Sequence, residues 1–293
     1  MAASTRLGLR KLWFQIHKWI GLLLLLLLIP LSLSGAILVW KGPLDRVLNP
    51  QRYAVAGAAQ LPASLYALAA TQALPAGDRL ASLRYPEGEG PVVVSAARPA
   101  AQGAPRRGPP LRTSVWLDPA TGKVLDVASS NSGAIRWLHV LHGSFHIPGA
   151  GRSIVGWLGV AMLLSCVSGL WLWWPTVGRW ARGLRWRRTP ALDGNLHHLV
   201  GFWVALPLAM LCFTGAWISF PTFFGALSGA PAAPRARPVP VESTRLTPDE
   251  ALAAARAPAA GTLVSITWPT DQAKAWRVTL QTPGGTADYR IDD

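Results

Sequence analysis

Six histidines, at 17, 139, 142, 146, 197 and 198, are the only imidazoles among the 293 residues, and all lie near the ends of long apolar stretches. Neutral imidazole ligates haem iron and first-row metal ions, so their spacing bears directly on chemistry. His17 and His197 sit in two similar runs, Ile16-His17-Lys18-Trp19-Ile20-Gly21 and Leu196-His197-His198-Leu199-Val200-Gly201. From each leading His a Gly follows four residues on (Gly21, Gly201), and another eighteen residues on, preceded by a hydroxyl residue (Ser34-Gly35, Thr214-Gly215). Equivalent histidines on two parallel helices are placed to give both axial ligands to one haem iron, with the following Gly leaving room for a bulky group. His198 points about 100° away from His197 around its helix. Only one of the two faces a given partner, and His197 is preferred.

A second group lies in Trp137-Leu138-His139-Val140-Leu141-His142-Gly143-Ser144-Phe145-His146. Spacings of three and four put His139, His142 and His146 on one helical face, as a ligand cluster for haem or for a first-row metal ion. A lone interfacial histidine is ordinarily a polar side chain reaching for the headgroups. Polar groups in an apolar span are costly without partners, which favours ligation for the matched pair and for the cluster. HExxH, GxSxG, Walker and strand-linked GxGxxG motifs are all missing from the sequence, so no zinc protease, serine hydrolase or dinucleotide chemistry is expected.

The elements that must hold these histidines are membrane spans. Hydrophobic residues make up 51% of the chain and charged residues 14%, with a mean hydropathy of +0.27, and the apolar residues are clustered. Ile20 to Trp40, Ile154 to Trp174 and Leu199 to Phe220 are each long enough to cross a hydrocarbon core, which takes about 20 residues. The first is too long for a cleaved signal peptide and has no convincing cleavage site. Arg6, Arg10, Lys11 and Lys18 precede it without an acid, and Arg179, Arg182, Arg185, Arg187 and Arg188 face only Asp193 in the loop after the second span. Short basic segments stay inside, so the N-terminus and that loop are expected in the cytoplasm of a multi-pass inner-membrane protein. The net charge of +14 follows from this topology and the lipid headgroups. A basic, aromatic-bearing soluble domain for nucleic acid is missing. Cys166 and Cys212 both fall in spans and read as small buried residues.

The remaining mass is repeated too. Pro62 to Gln72 reads as a helix, followed by strands at Arg79 to Tyr85, Pro91 to Ala97 and Thr113 to Asp118, a Pro119-Ala120-Thr121-Gly122 turn, and a strand over Lys123 to Val127. In the second copy Thr247-Pro248-Asp249-Glu250 spells a helix start, with strands at Leu263 to Trp268, Ala275 to Gln281 and Thr286 to Ile291. Val115-Trp116-Leu117-Asp118 aligns with Tyr289-Arg290-Ile291-Asp292, after which the first copy continues and the second stops. A fragment lacking a last strand and a fourth helix is therefore expected. Residues 99–110 and 225–240 read as Pro/Ala-rich extended linkers.

The expected layout is a cytoplasmic N-terminus (1–16), a first span (17–40), a first α+β module outside (41–136), a His-rich outer interfacial segment (137–153) and a second span (154–174). A basic cytoplasmic loop (175–195), a third span (196–220), a linker (221–245) and an incomplete second module (246–293) follow.

These motifs resemble the PepSY-associated transmembrane helix family, which includes iron-regulated inner-membrane proteins and ferric-siderophore reductases. The resemblance covers essentially the whole chain. It rests on His17-Lys18-Trp19-Ile20-Gly21-Leu22, on Leu141-His142 with Arg152 and Ile154-Val155-Gly156, on Ser168-Gly169-Leu170-Trp171-Leu172-Trp173-Trp174-Pro175, and on Leu196-His197-His198-Leu199-Val200-Gly201. It implies a helical membrane bundle of four spans with two small α+β PepSY-like extracytoplasmic modules. In reductase members it also implies two b-type haems, the inner on His17 and His197 and the outer on His142 with a partner on the fourth helix. The expected function is electron transfer across the inner membrane to a ferric siderophore or other iron chelate, from a cytoplasmic or quinol donor. The alternatives are a membrane-anchored PepSY module that binds or regulates an envelope protein or protease, and an accessory for iron or haem uptake.

Overall fold

The computed structural model describes residues 2–99, 112–130, 132–174, 180–185, 190–229, 238–257 and 260–293. Residues 100–110 of the first expected linker, the core of the one at 225–240, and residues 175–179 and 186–189 of the basic loop, including Arg179, Arg187 and Arg188, lie outside the described residues. The chain divides into two compact units, one of residues 1–39 with 137–234 and the other of residues 40–136 with 235–293.

The first unit is helical. Its long members are α1 (Ala2–Val39), α5 (Gly151–Trp173) and α6 (Leu192–Ser219), with the short α4 (Ala134–Ser144) and α7 (Pro221–Leu227) beside them. All three long helices are long and apolar enough to cross a membrane. α1 starts well before the apolar run, because Leu9-Arg10-Lys11-Leu12 are good helix formers that extend a helix already nucleated by the leucines. α5 packs against both α1 and α6. At Gly156 an added Cβ would lie 2.7 Å from Ser219 and Phe220, and at Gly159 it would lie 3.2 Å from the Cys212 carbonyl. Small residues bring helix backbones together where lipid provides no hydrophobic drive.

Two arginines fix the ends. Arg10 on α1 donates to the carbonyls of Leu172 (2.6 Å) and Trp174 (2.8 Å) at the end of α5. Arg152 at the start of α5 donates to the Ile218 carbonyl at the end of α6. Each supplies a cation and donors to carbonyls that a helix end leaves open. α1 and α6 therefore both run antiparallel to α5 and parallel to each other, as their sequence similarity predicts.

The second unit holds α2 (Lys41–Leu48), α3 (Ala63–Ala73), α8 (Pro248–Arg256) and seven strands: β1 (Arg79–Arg84), β2 (Val92–Ala97), β3 (Arg112–Leu117), β4 (Val124–Ser129), β5 (Thr262–Thr267), β6 (Ala275–Thr282) and β7 (Gly285–Asp292). All lie within a residue or two of the bounds the alternating pattern predicts. They form one antiparallel sheet in the order β4-β3-β2-β1-β5-β6-β7. The two repeat copies thus share a sheet: each leaves the first strand of its hairpin series with an open edge, and β1 and β5 close on one another with Leu83 opposite Ile266. The core is common as well, with Tyr66, Leu83, Val92, Val94, Val115 and Leu117 from the first copy and Ile266, Trp276, Val278 and Leu280 from the second, all fully buried.

Alanines at 63, 67 and 70 on α3 and at 251 and 255 on α8 are buried against this core. Thr247 caps α8, with the reciprocal Glu250 bond of a capping box. α3 has no such residue of its own. Its first amides instead donate to the carboxylate of Asp249 on α8, Ala63 N at 2.6 Å and Ser64 N at 3.2 Å. An acid from one copy thereby caps the helix of the other.

Candidate functional site

In the helical unit the histidines fall into two places. His17 on α1 and His197 on α6 meet with ring centres 6.1 Å apart. Metal–imidazole bonds are about 2 Å long, so two rings this far apart would be able to share one metal ion. His198 does not take this place; its ring lies 6.3 Å from that of His197. A Cβ built on Gly21 or Gly201, one turn further along each helix, meets nothing within 4 Å among the described residues. Between α5 and α6, Trp173 stacks on Phe202 at 4.1 Å.

The other face of His17 rests on α5. Its Nδ1 lies 3.1 Å from the Ser168 hydroxyl and 3.4 Å from that of Ser165. The Ser168 hydroxyl donates to the Ser165 carbonyl at 3.1 Å. Gly169 lets the ring in: a Cβ there would stand 3.0 Å from His17 Cε1. Ser165 and Ser168 are both buried.

His142 occupies the second place, on α4 against α1. Its Nδ1 donates to the Leu31 carbonyl at 2.9 Å and lies 3.4 Å from the Ser34 hydroxyl. Ser34, which is 2% exposed, donates to the carbonyls of Pro30 (2.7 Å) and Leu31 (3.0 Å). A Cβ on Gly35 would come within 2.7 Å of His142 Cε1. The turn holding α4 against α5 is equally close, since a Cβ at Gly151 would fall 1.9 Å from the Ser144 carbonyl oxygen.

The seventeen residues from His17 to Ser34 span about 25 Å of helix at about 1.5 Å each. That is close to the thickness of a hydrocarbon core, about 30 Å, so the two places stand near opposite membrane faces.

The structure does not gather His139, His142 and His146 on one face. α4 ends at Ser144, and Phe145 and His146 take positive φ values of 50° and 58°. This turns His146 off the helical track, and its ring packs on Trp137 with centres 5.0 Å apart. His139 is exposed. Among the described residues no group of three or more His, Cys, Asp or Glu is placed to hold a metal ion. The chemistry available is therefore that of imidazoles supplied singly or in a pair. Histidines supplied singly or in a pair would be able to hold haem iron.

Sequence reasoning missed the partners of these histidines. Ser168-Gly169 was in view only as part of a motif, and Arg10 and Arg152 only as flanking charge. The signal that was available is the recurring hydroxyl–glycine dipeptide.

The sheet unit carries a groove of about 1600 Å³ lined by residues 55–63, the β1–β2 loop from Tyr85 to Gly90, Asp249, Arg256, the start of β5, Gln281 and Thr286. Burial, ahead of neighbouring Tyr66 and Asp249, pushes the Tyr85 hydroxyl well above its ordinary pKa, so it stays a neutral phenol at physiological pH.

Compared with known protein families, residues 14–286 match the family described as PepSY-associated TM region. No curated protein matches the chain.

Proposed function

The chain belongs to the PepSY-associated transmembrane family, and on that premise we propose that it is a haem-binding inner-membrane electron conduit that reduces extracytoplasmic ferric chelates such as siderophore iron. The observation that carries this reading is the apposition of His17 and His197, 6.1 Å apart on two parallel apolar helices, with free room beside Gly21 and Gly201. His17 and His197 would hold an inner b-type haem and His142 would contribute to an outer one. When bound, such a group supplies one-electron transfer between the ferrous and ferric states. The protein's own contribution is to orient the imidazoles, to keep water away with the surrounding leucines, and to place the two sites near opposite faces of the bilayer.

Positive charge at the N-terminus and in the loop after α5 supports a cytoplasmic position for both; in that orientation electrons would enter from a cytoplasmic or quinol donor and leave outside. Reduction releases iron because hard oxygen ligands hold Fe(III) much more tightly than Fe(II). We read the two halves of the sheet as two PepSY-like modules joined through β1 and β5, and assign chelate docking to the groove beside Arg256. The test is a reduced-minus-oxidised visible spectrum with haem quantitation on detergent-purified protein. A bis-histidine b-type spectrum lost in His17→Ala and in His197→Ala supports the assignment, and its retention in both removes it.

The groove also favours a second reading, in which the sheet unit binds an envelope protein or protease and the helices serve as its anchor. That reading expects no haem after expression with ample haem supply.

A further inference from the structure

Two of the histidines meet the bundle in the same way, although they come from different helices and lie near opposite ends of it. Each leans its Nδ1 edge on a hydroxyl residue followed by glycine: His17 on Ser168-Gly169 of α5, and His142 on Ser34-Gly35 of α1. Each serine spends its single proton on a carbonyl of its own helix, Ser168 on Ser165 and Ser34 on Pro30 or Leu31. A hydroxyl whose proton is already committed can only accept from the ring, and the Leu31 carbonyl facing His142 can only accept. The Leu31 carbonyl requires His142 to carry its proton on Nδ1, and the same tautomer at His17 is the one that lets Ser168 keep its bond to Ser165 while accepting from the ring; either way the lone pair is left on Nε2. An orienting partner on one ring nitrogen sets which nitrogen is free to ligate.

We propose that Ser168-Gly169 and Ser34-Gly35, the latter with the Leu31 carbonyl, are histidine seats: positioning residues that hold His17 and His142 as Nδ1–H tautomers and so leave the lone pair on Nε2. The haem-linked part of this inference rests on the function proposed above; the tautomer part does not. The glycine of each seat sets the reach of the ring, since a Cβ would press on Cε1 at 3.0 Å from Gly169 and at 2.7 Å from Gly35. The repeat supplies an internal control. Thr214-Gly215 is the counterpart of Ser34-Gly35 on α6, and its hydroxyl is likewise committed to Met210 and Leu211 carbonyls. A Cβ on Gly215 meets nothing within 4 Å among the described residues.

The experiment is histidine-selective nitrogen-15 NMR on the haem-free full chain in detergent, with signals assigned by single His→Gln variants. The same variants are then loaded with haem. His17 and His142 are expected as neutral Nδ1–H tautomers. Ser168→Ala should move His17 toward the Nε2–H form, and Ser168→Thr should restore it. Gly35→Ala should disturb His142 while Ser34→Ala spares it, because the Leu31 carbonyl remains, and Gly215→Ala should change neither ring. In the loaded protein Ser168→Ala should weaken haem retention by about 10- to 100-fold, the usual cost of losing an orienting partner. It should also raise the midpoint potential, because the ligand becomes a poorer donor to the ferric state.

Expected tautomers without any haem binding would leave the seats standing and remove the electron-conduit reading. Haem binding by a chain whose His17 stays Nε2–H, or does not respond to Ser168→Ala, would overturn the seats and leave that reading standing.

Discussion

The two units of this protein are built on opposite rules of burial. In the sheet unit the interior is large and mainly apolar: Trp276, Tyr66, Leu83 and Leu117 are fully buried, with Asp118 and Thr113 as buried polar side chains. In the helical unit most large apolar side chains point outward, with Leu26 and Leu206 more than three-quarters exposed, while Ser34, Ser165, Ser168 and Asn195 are buried along with Leu24, Leu158 and Trp173. Water drives apolar groups inward, whereas lipid is as apolar as leucine, so only small size and hydrogen bonding mark the inside of a bundle.

The sharpest way to break this contrast is to remove an interior residue from each unit. On the proposed function, His17→Ala and His197→Ala should abolish the absorbance of the proposed inner haem outright while leaving the chain folded and inserted, which a visible spectrum with far-UV circular dichroism would check. Trp276→Ala should do the reverse. It removes a fully buried indole and its 2.9 Å hydrogen bond to Asp293, at a cost of about 3–5 kcal/mol. Denaturant unfolding of the sheet unit, followed in the intact chain, should show that loss with the haem spectrum unmoved. A coupled loss of both signals would mean that the two interiors are not separable.

A smaller effect tests how the repeat copies are joined. Asp249 caps α3 from the other copy, so Asp249→Ala should cost about 1 kcal/mol, the usual value of an N-cap. The same change at Glu250, which serves only its own helix, should leave α3 untouched. Hydrogen exchange at the Ala63 and Ser64 amides distinguishes the two: rapid exchange in Asp249→Ala alone fits a cap between copies.

That cap also marks the limit of what could be read from the sequence. Spans, strands, the Pro119–Gly122 turn and the Thr247 cap were legible because each is written in consecutive residues. The Asp249–Ser64 contact links residues 185 apart, and the β1–β5 join pairs strands with no local signal for one another. Arg10 and Arg152 were visible as charges, but not as donors to helix ends far along the chain. At the site, residue type and repeat position pointed to His17 and His197. The arc of His139, His142 and His146 was drawn on an ideal helix, and the positive φ at Phe145 and His146 that ends it has no glycine to announce it.

The smallest predicted effect lies in acid, and it belongs to the sheet unit. Asp118 is buried, at 4% exposure, where β3 leaves the sheet. The Thr121 hydroxyl, together with the amide of Ala56 at 2.8 Å, holds its carboxyl below the ordinary range. A carboxylate with a depressed pKa in the folded state stabilises the fold above its unfolded value, near pH 4. That contribution fades as pH falls through the folded value. Asp118→Asn should therefore lower stability at pH 7 and differ progressively less from the parent as pH falls below about 4. Unfolding curves of the two proteins taken from pH 7 down to pH 3 give the comparison directly. A gap that stays constant with pH would show that Asp118 acts through shape rather than charge, and would make the junction between β3 and the Pro119–Gly122 turn a matter of packing, as in the rest of that core.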